Sequence, residues 1–209
     1  MLVFITSIYS DAGIPAHSLD LPEKLVIDRR ERQLSVFDSA GVRKLSCKIG
    51  IGRGACAVKH RMLDNVTPTG QFHIDIILCR DSEFDQVDES LVQRYKNKPD
   101  LEALLKTKEG LAKLFGNMNS LDFDADGKPD NAYGFAYLGL DSQEAVTGPK
   151  LSSFKGKHYW FSIALHGTAD EAKNIGAANS GGCIHVPKSV LRELIRGHLV
   201  KVGTRVIVE

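Results

Sequence analysis

Ser180-Gly181-Gly182-Cys183-Ile184-His185 lies near the C-terminus of the 209-residue chain. The apolar segment Tyr159-Trp160-Phe161-Ser162-Ile163-Ala164-Leu165 upstream of it runs into His166-Gly167-Thr168. The thiolate is the reactive form of cysteine, and a free thiol ionises near pH ~8.5, so a nearby imidazole must take the proton. Glycines ahead of the sulfur let backbone N–H groups approach a developing oxyanion. A lone cysteine is more often a buried, inert small hydrophobe. The residues on both sides of Cys183 and the upstream His166-Gly167 argue against that reading, and the segment 159–166 argues against a merely core role for His166. Read as one buried strand, it puts Tyr159, Phe161, Ile163 and Leu165 on a bulky face. Trp160, Ser162, Ala164 and His166 share the other face, which reads as open, with His166 at the strand's end.

The pair formed by His166-Gly167 and Ser180-x-Gly182-Cys183-Ile184 resembles the signature of the L,D-transpeptidase family, the YkuD-type catalytic domain. The resemblance runs over residues 22–79 and 133–209. It implies an N-terminal extension over 1–21, a catalytic domain over 22–209 and an insert at about 81–132. The implied fold is mostly β with helices (α+β), a β-sandwich carrying a helical insertion. The implied chemistry is acyl transfer on the tetrapeptide stems of peptidoglycan. Cys183 attacks the carbonyl on the L-centre of meso-diaminopimelate, and D-alanine leaves. The acyl acceptor is an amine or water, giving transpeptidase or carboxypeptidase activity. His166 is the implied base, and the Gly167 carbonyl its orienting partner. The N–H groups of Gly182 and Cys183 form the implied oxyanion hole, with Ser180 bracing the loop. His73 is implied to face the substrate cleft. No cofactor is needed for this chemistry, and the implied location is the periplasm or cell envelope. Two departures stand out. Gly181 replaces a histidine frequent in the family, and His185 replaces the usual arginine.

His185 can serve in three ways. It can bind a substrate carboxylate as a cation, with binding that weakens as pH rises through its ordinary pKa near ~6.5. It can be a neutral hydrogen-bonding group, or simply pack beside the loop. The titrating clamp is the reading preferred here. Two other function classes fit the same residues: a thiol hydrolase on a different peptide, and an envelope-binding module without activity.

Composition sets outer bounds. The formal net charge of +1 gives no reason to expect nucleic acid as a partner. No apolar run approaches the ~20 residues of a membrane span. Met1 to Ser10 is apolar but lacks the basic start of an export signal. With Cys183 as nucleophile, Cys47, Cys56 and Cys79 remain, an odd number that cannot pair fully within one chain.

Along the chain, Leu25–Asp28, Gln33–Phe37 and Lys44–Ile51 read as strands joined by turns. Residues 52–66 read as a loop. Thr67-Pro68-Thr69-Gly70 is a turn. It leads into a strand over Gln71–Ile76, with Phe72, Ile74 and Ile76 on one face. Val87–Tyr95 and Leu101–Phe115 read as helices, the second starting at Pro99-Asp100 and weakened by Gly110. Asp122, Asp124 and Asp126, with Gly127 at the sixth place, match the first half of a calcium loop. Asp130 is a further candidate ligand, while Tyr133 stands where a bidentate glutamate belongs. Residues 133–157 read as loop. A helix from Pro187 to Gly197, then strands at 200–202 and 205–208, close the chain.

Overall fold

A meander of three antiparallel strands opens the structure: β1 (Lys24–Asp28), β2 (Gln33–Phe37) and β3 (Arg43–Lys48). The turn between β2 and β3 is held by Asp38, whose carboxylate accepts the Val42 N–H at 2.8 Å. The computed structural model describes residues 24–141 and 150–209. The 1–21 extension lies outside those residues.

The short β4 (Ile51–Gly52) is followed by the long β5 (Gly70–Cys79) and by β6 (Gln86–Val87). Three helices come next, α1 (Glu89–Arg94), α2 (Pro99–Lys106) and α3 (Lys108–Asn119). The single helix expected over 101–115 is therefore two. Thr107 takes extended backbone angles and its side chain accepts the Gly110 N–H at 3.0 Å, which starts a new helix. Gly110 is no weak point. A side chain there would begin 2.5 Å from the Leu104 carbonyl, so glycine is what lets the corner between α2 and α3 close.

The stretch expected to be loop holds β7 (Ala136–Leu140) and β8 (Leu151–Phe154). The strand expected over 159–166 splits in two. Among the described residues β9 (Lys157–Trp160) pairs only with β8, and β10 (Ala164–His166) joins the main sheet. After α4 (Glu171–Asn174), β11 (Ala178–Ser180) pairs with β4, and β12 (Ile184–His185) pairs with β10. The helix α5 (Lys188–Arg196) and β13 (Arg205–Val208) end the chain, and the expected strand at 200–202 is irregular.

The main sheet runs β12-β10-β7-β5-β13-β1-β2-β3, with β6 on β5. β5 is its corner. The first part of β5 pairs with β13 and the second part with β7. Between them Asp75 is a bulge, since Ile74 faces Leu140 while Ile76 faces Gly139. The extra residue reverses the strand's alternation. Phe72, Ile74, Ile77 and Cys79 point into one core, and Ile76 and Leu78 into another. Ile76 is thus on the opposite face from the one the simple alternation predicts. The α+β class stands.

The first core lies between the two halves of the bent sheet and is closed by Leu191, Leu194 and Ile195 of α5. The second lies on the outer face of the sheet's β10 end. There Leu105, Leu111, Leu114, Phe115 and Met118 of the helices cover Ile76, Leu78, Tyr137, Trp160 and Ala164.

Gly139 sits in the middle of β7, where glycine normally weakens a strand. A side chain there would begin 2.7 Å from Asp75 Oδ1 and Ile76 Cγ2, and 3.0 Å from Trp160 Nε1. Asp75 forms a buried ion pair with Lys150, so moving the carboxylate aside would disturb that pair. Gly139→Ala should therefore lower the unfolding free energy by roughly 1–3 kcal/mol, the usual scale of overpacking. Gly116→Ala, at an exposed site in α3 with nothing within 4 Å, should raise it by up to about 1 kcal/mol. Urea unfolding of both variants checks the contrast.

Candidate active site

The parallel pairing of β10 with β12 sets the site. Leu165 faces Ile184 and His166 faces His185, so Cys183, one residue before β12, falls beside Ala164. The thiol is half-buried, and Sγ donates to the Ser162 carbonyl at 3.6 Å. Ser162 is fixed in turn by Tyr137, whose hydroxyl accepts the Ser162 N–H and donates to its carbonyl, both at 3.1 Å.

His166 is buried, not open to solvent as its strand face suggested. Its ring lies 5.0 Å from Tyr133, 6.0 Å from Tyr137 in a stacked arrangement, and 5.0 Å from His185 edge-on. The cover comes from the second core, against which Tyr133 and Cys183 also pack. His166 Nδ1 is 2.6 Å from the Gly167 carbonyl oxygen. A carbonyl can only accept, so Nδ1 carries the proton and Nε2 is left as the basic nitrogen. Gly167 must be glycine because a side chain would begin 2.8 Å from the Phe135 nitrogen.

The nucleophile loop is held from within and from outside. Ser180 Oγ donates to the Cys183 carbonyl at 2.6 Å and accepts the Gly182 N–H at 3.0 Å. Thr67, fully buried, accepts the Gly52 N–H and donates to the Gly182 carbonyl, both at 2.9 Å. Gly182 adopts φ +128, which only glycine takes easily. The Gly182 N–H therefore already has a partner, Ser180 Oγ, in this resting arrangement. The Cys183 N–H is engaged by no side chain or loop carbonyl among the described residues.

Electrostatically the resting site is neutral. Burial pushes the Cys183 thiol up to about 11, against the Ala164 N–H and the Lys59 charge. Burial, then the His185 ring, brings His166 down to about 3. Burial brings His185 down to about 4. At pH 6–8 this leaves His185 uncharged, which favours the neutral hydrogen-bonding reading over the titrating carboxylate clamp. Its Nδ1 is buried without a hydrogen-bond partner, so it offers a neutral contact beside His166.

His73 lies elsewhere. Tyr137, the partner of His166, pairs with Leu78, five residues along β5 from His73, or roughly 16 Å at strand rise. His73 Nδ1 is 3.3 Å from Asp141, and the residue lines a separate cleft of about 450 Å³ with Asp75, Asp88, Arg94 and Lys150. His73 therefore lines this second cleft and not the surroundings of the thiol. In the acidic loop, side-chain oxygens of Asp122, Asp124 and Asp126 lie within 4.8 Å of one another. Asp130 does not join them, because its carboxylate accepts the Phe123 N–H at 2.7 Å. Lys155 stands 3.8 Å from Asp122 and offsets part of the charge.

Tyr133, Tyr137, Ser162 and Thr67 are the residues that sequence reasoning missed. The usable signal was Phe135-Ala136-Tyr137-Leu138-Gly139-Leu140, an apolar run bounded by Gly134 and Asp141, as a fully buried strand would be.

The β10–β12 register thus sets a hydrogen-bonded imidazole and a half-buried thiol on one covered face of the sheet. The model of the L,D-transpeptidase catalytic domain matches residues 22–208, and the chain belongs to that family. Among solved structures, Bd1075 of Bdellovibrio bacteriovorus is 17% identical at TM-score 0.44, covering 88% of this chain and 46% of that one. An L,D-transpeptidase from Mycobacterium smegmatis is 13% identical at TM-score 0.44, covering 90% and 59%. An L,D-transpeptidase from Xylanimonas cellulosilytica is 15% identical at TM-score 0.43, covering 90% and 60%. The chain thus spans about half to three-fifths of those structures. A search of curated proteins found no match. No helix among the described residues is long and apolar enough to cross a membrane.

The buried imidazoles have a consequence for stability. Both histidines have folded pKa values below the unfolded value near ~6.5, so the unfolded chain binds more protons between about 4 and 6.5. The stability they contribute is complete above pH ~6.5 and is lost as pH falls through the folded values. Asp85, raised to about 6, chiefly by burial, acts in the opposite sense. His185→Gln should therefore show a shallower loss of melting temperature than the parent between pH 6.5 and 4. An identical slope in the two proteins would contradict the buried neutral state of His185.

Proposed function

We propose that Cys183 is the nucleophile of an acyl transfer on peptidoglycan stem peptides, with His166 as its general base. The observation that carries this reading is the β10–β12 register, which brings the cysteine loop beside an imidazole anchored through Nδ1 to Gly167.

The proton must move during attack rather than before it, since both partners rest neutral. The sulfur adds to the carbonyl on the L-centre of a meso-diaminopimelate residue, while Nε2 of His166 accepts the thiol proton. The imidazolium formed is stabilised by the Gly167 carbonyl, which accepts from Nδ1–H in both protonation states. The Cys183 N–H is the free backbone donor for the oxyanion. Gly182 would contribute only if Ser180 released it. Collapse expels D-alanine, whose amine takes the proton from His166, and leaves a thioester on Cys183. An amine from a second stem, or water, then attacks the thioester, with His166 again taking and returning the proton.

Every step uses groups of the chain itself. His185 is suited to a neutral hydrogen bond with substrate, a different recognition from the permanent cation that arginine supplies. Peptidoglycan as substrate places the protein in the cell envelope.

Cys183→Ala should abolish both turnover of purified muropeptides and covalent capture of a carbapenem, with the melting temperature within a few degrees of the parent. Activity retained in this variant would sink the reading. His166→Ala should cost a factor of about 10²–10⁴ in acylation rate. Stopped-flow acylation with the same drug measures it, and a loss under threefold would give the imidazole another role.

A further inference from the structure

The segment between β4 and β5 is built on one buried cation. The Lys59 side chain is 3% exposed. Its ammonium donates to Asp64 Oδ1 at 2.8 Å, to the Val66 carbonyl at 2.9 Å and to the Met62 carbonyl at 3.3 Å. An ammonium has three donors, and all are used. Asp64 in turn accepts the N–H groups of His60 at 2.7 Å, Arg61 at 2.9 Å and Val66 at 3.0 Å. Burial opposes the Asp64 charge, but the Arg61 N–H, the Lys59 ammonium and the His60 and Val66 N–H groups outweigh it. Its carboxyl stays well below the usual range.

This clamp ends on the nucleophile loop. The Val66 carbonyl lies 3.0 Å from where a Gly182 side chain would begin. The next residue, Thr67, holds the Gly182 carbonyl. A loop needs no buried ammonium merely to be ordered, and burying one is costly unless it is fully paired.

We infer that Lys59 is a positioning residue for Cys183: it locks residues 59–66 against the nucleophile loop and brings to the thiol a fixed positive charge that favours the thiolate. This rests on Cys183 being the nucleophile. The direction of the electrostatic influence agrees, since the Lys59 charge opposes the burial that raises the thiol. The other groups facing the thiol do not supply charge near neutrality. Tyr133 and Tyr137 are pushed further toward their neutral forms by burial, then by Cys183. His166 and His185 are neutral above about pH 4.

The test is alkylation of Cys183 by iodoacetamide in the full chain across pH 7–10, followed on the Cys183 peptide by mass spectrometry. Rate tracks the thiolate fraction, so no turnover is required. Lys59→Met should raise the apparent thiol pKa by about one unit, the lower end of what a nearby opposite charge contributes, and slow alkylation about tenfold. Lys59→Arg should restore most of the rate. Asp64→Asn, which frees the Lys59 charge, should shift the thiol the other way and speed alkylation. A clamp with only a structural role would move Lys59→Met and Asp64→Asn in the same direction. That result, or an unshifted thiol in folded Lys59→Met, overturns the inference. Should Lys59→Met fail to fold, a slower Asp64→Asn overturns it equally. Inactivity toward muropeptides would count against the proposed substrate and leave this result untouched.

Discussion

Parallel pairing between β10 and β12 is the constraint on which the site depends. Two residue pairs hold it, Leu165 with Ile184 and His166 with His185, and the sulfur follows from them. Such a short ladder cannot hold register alone. It is held from the sides: Gly50 exchanges both backbone hydrogen bonds with His185, and the Val186 N–H reaches the His166 carbonyl at 2.9 Å. Ser180 and Thr67 then fix the loop between β11 and β12. The chemistry proposed for Cys183 thus rests on backbone geometry that side chains enforce.

Burial gives this site its character. Helices α1–α3 cover the Ala164 side of the sheet, and burial leaves both the His166 imidazole and the Cys183 thiol favouring their neutral forms. A preformed thiolate–imidazolium pair would need two charges stabilised under that cover. A coupled proton transfer needs charge only when substrate is present to share it. Under the same cover a histidine at position 185 differs in kind from arginine, because burial strips it of charge at working pH.

Local patterns were legible in the sequence where local forces decide. Strands β1 and β2, the start of β5 and the apolar stripe of α5 follow from alternation, turn residues and helix periodicity. What escaped was set by partners distant in the chain. β7 carries a glycine at its centre because Asp75 and Trp160 occupy the space, a reason that lies outside its own residues. The alternation over 159–166 is continuous, yet the backbone changes sheets within it, because β9 is claimed by β8. His166 looked open since the rings packed around it, Tyr133, Tyr137 and His185, come from other segments of the chain. That Cys183 and His166 come close together follows from the parallel register of β10 and β12, which their flanking glycines and chain order suggested. The distance of His73 from the thiol was likewise not legible, because it depends on which end of β5 pairs with β7.

The bulge at Asp75 has a wider meaning for how a short chain makes two layers. An unbroken strand shows each side chain to a fixed side for its whole length, so it can wall only one interior at a time. One supernumerary residue changes the phase halfway, and β5 becomes a hinge plate shared by two rooms. Helices α1–α3 lean on the second of these, against Ile76 and Leu78, so a change of packing there reaches the first interior only through the strands that wall both.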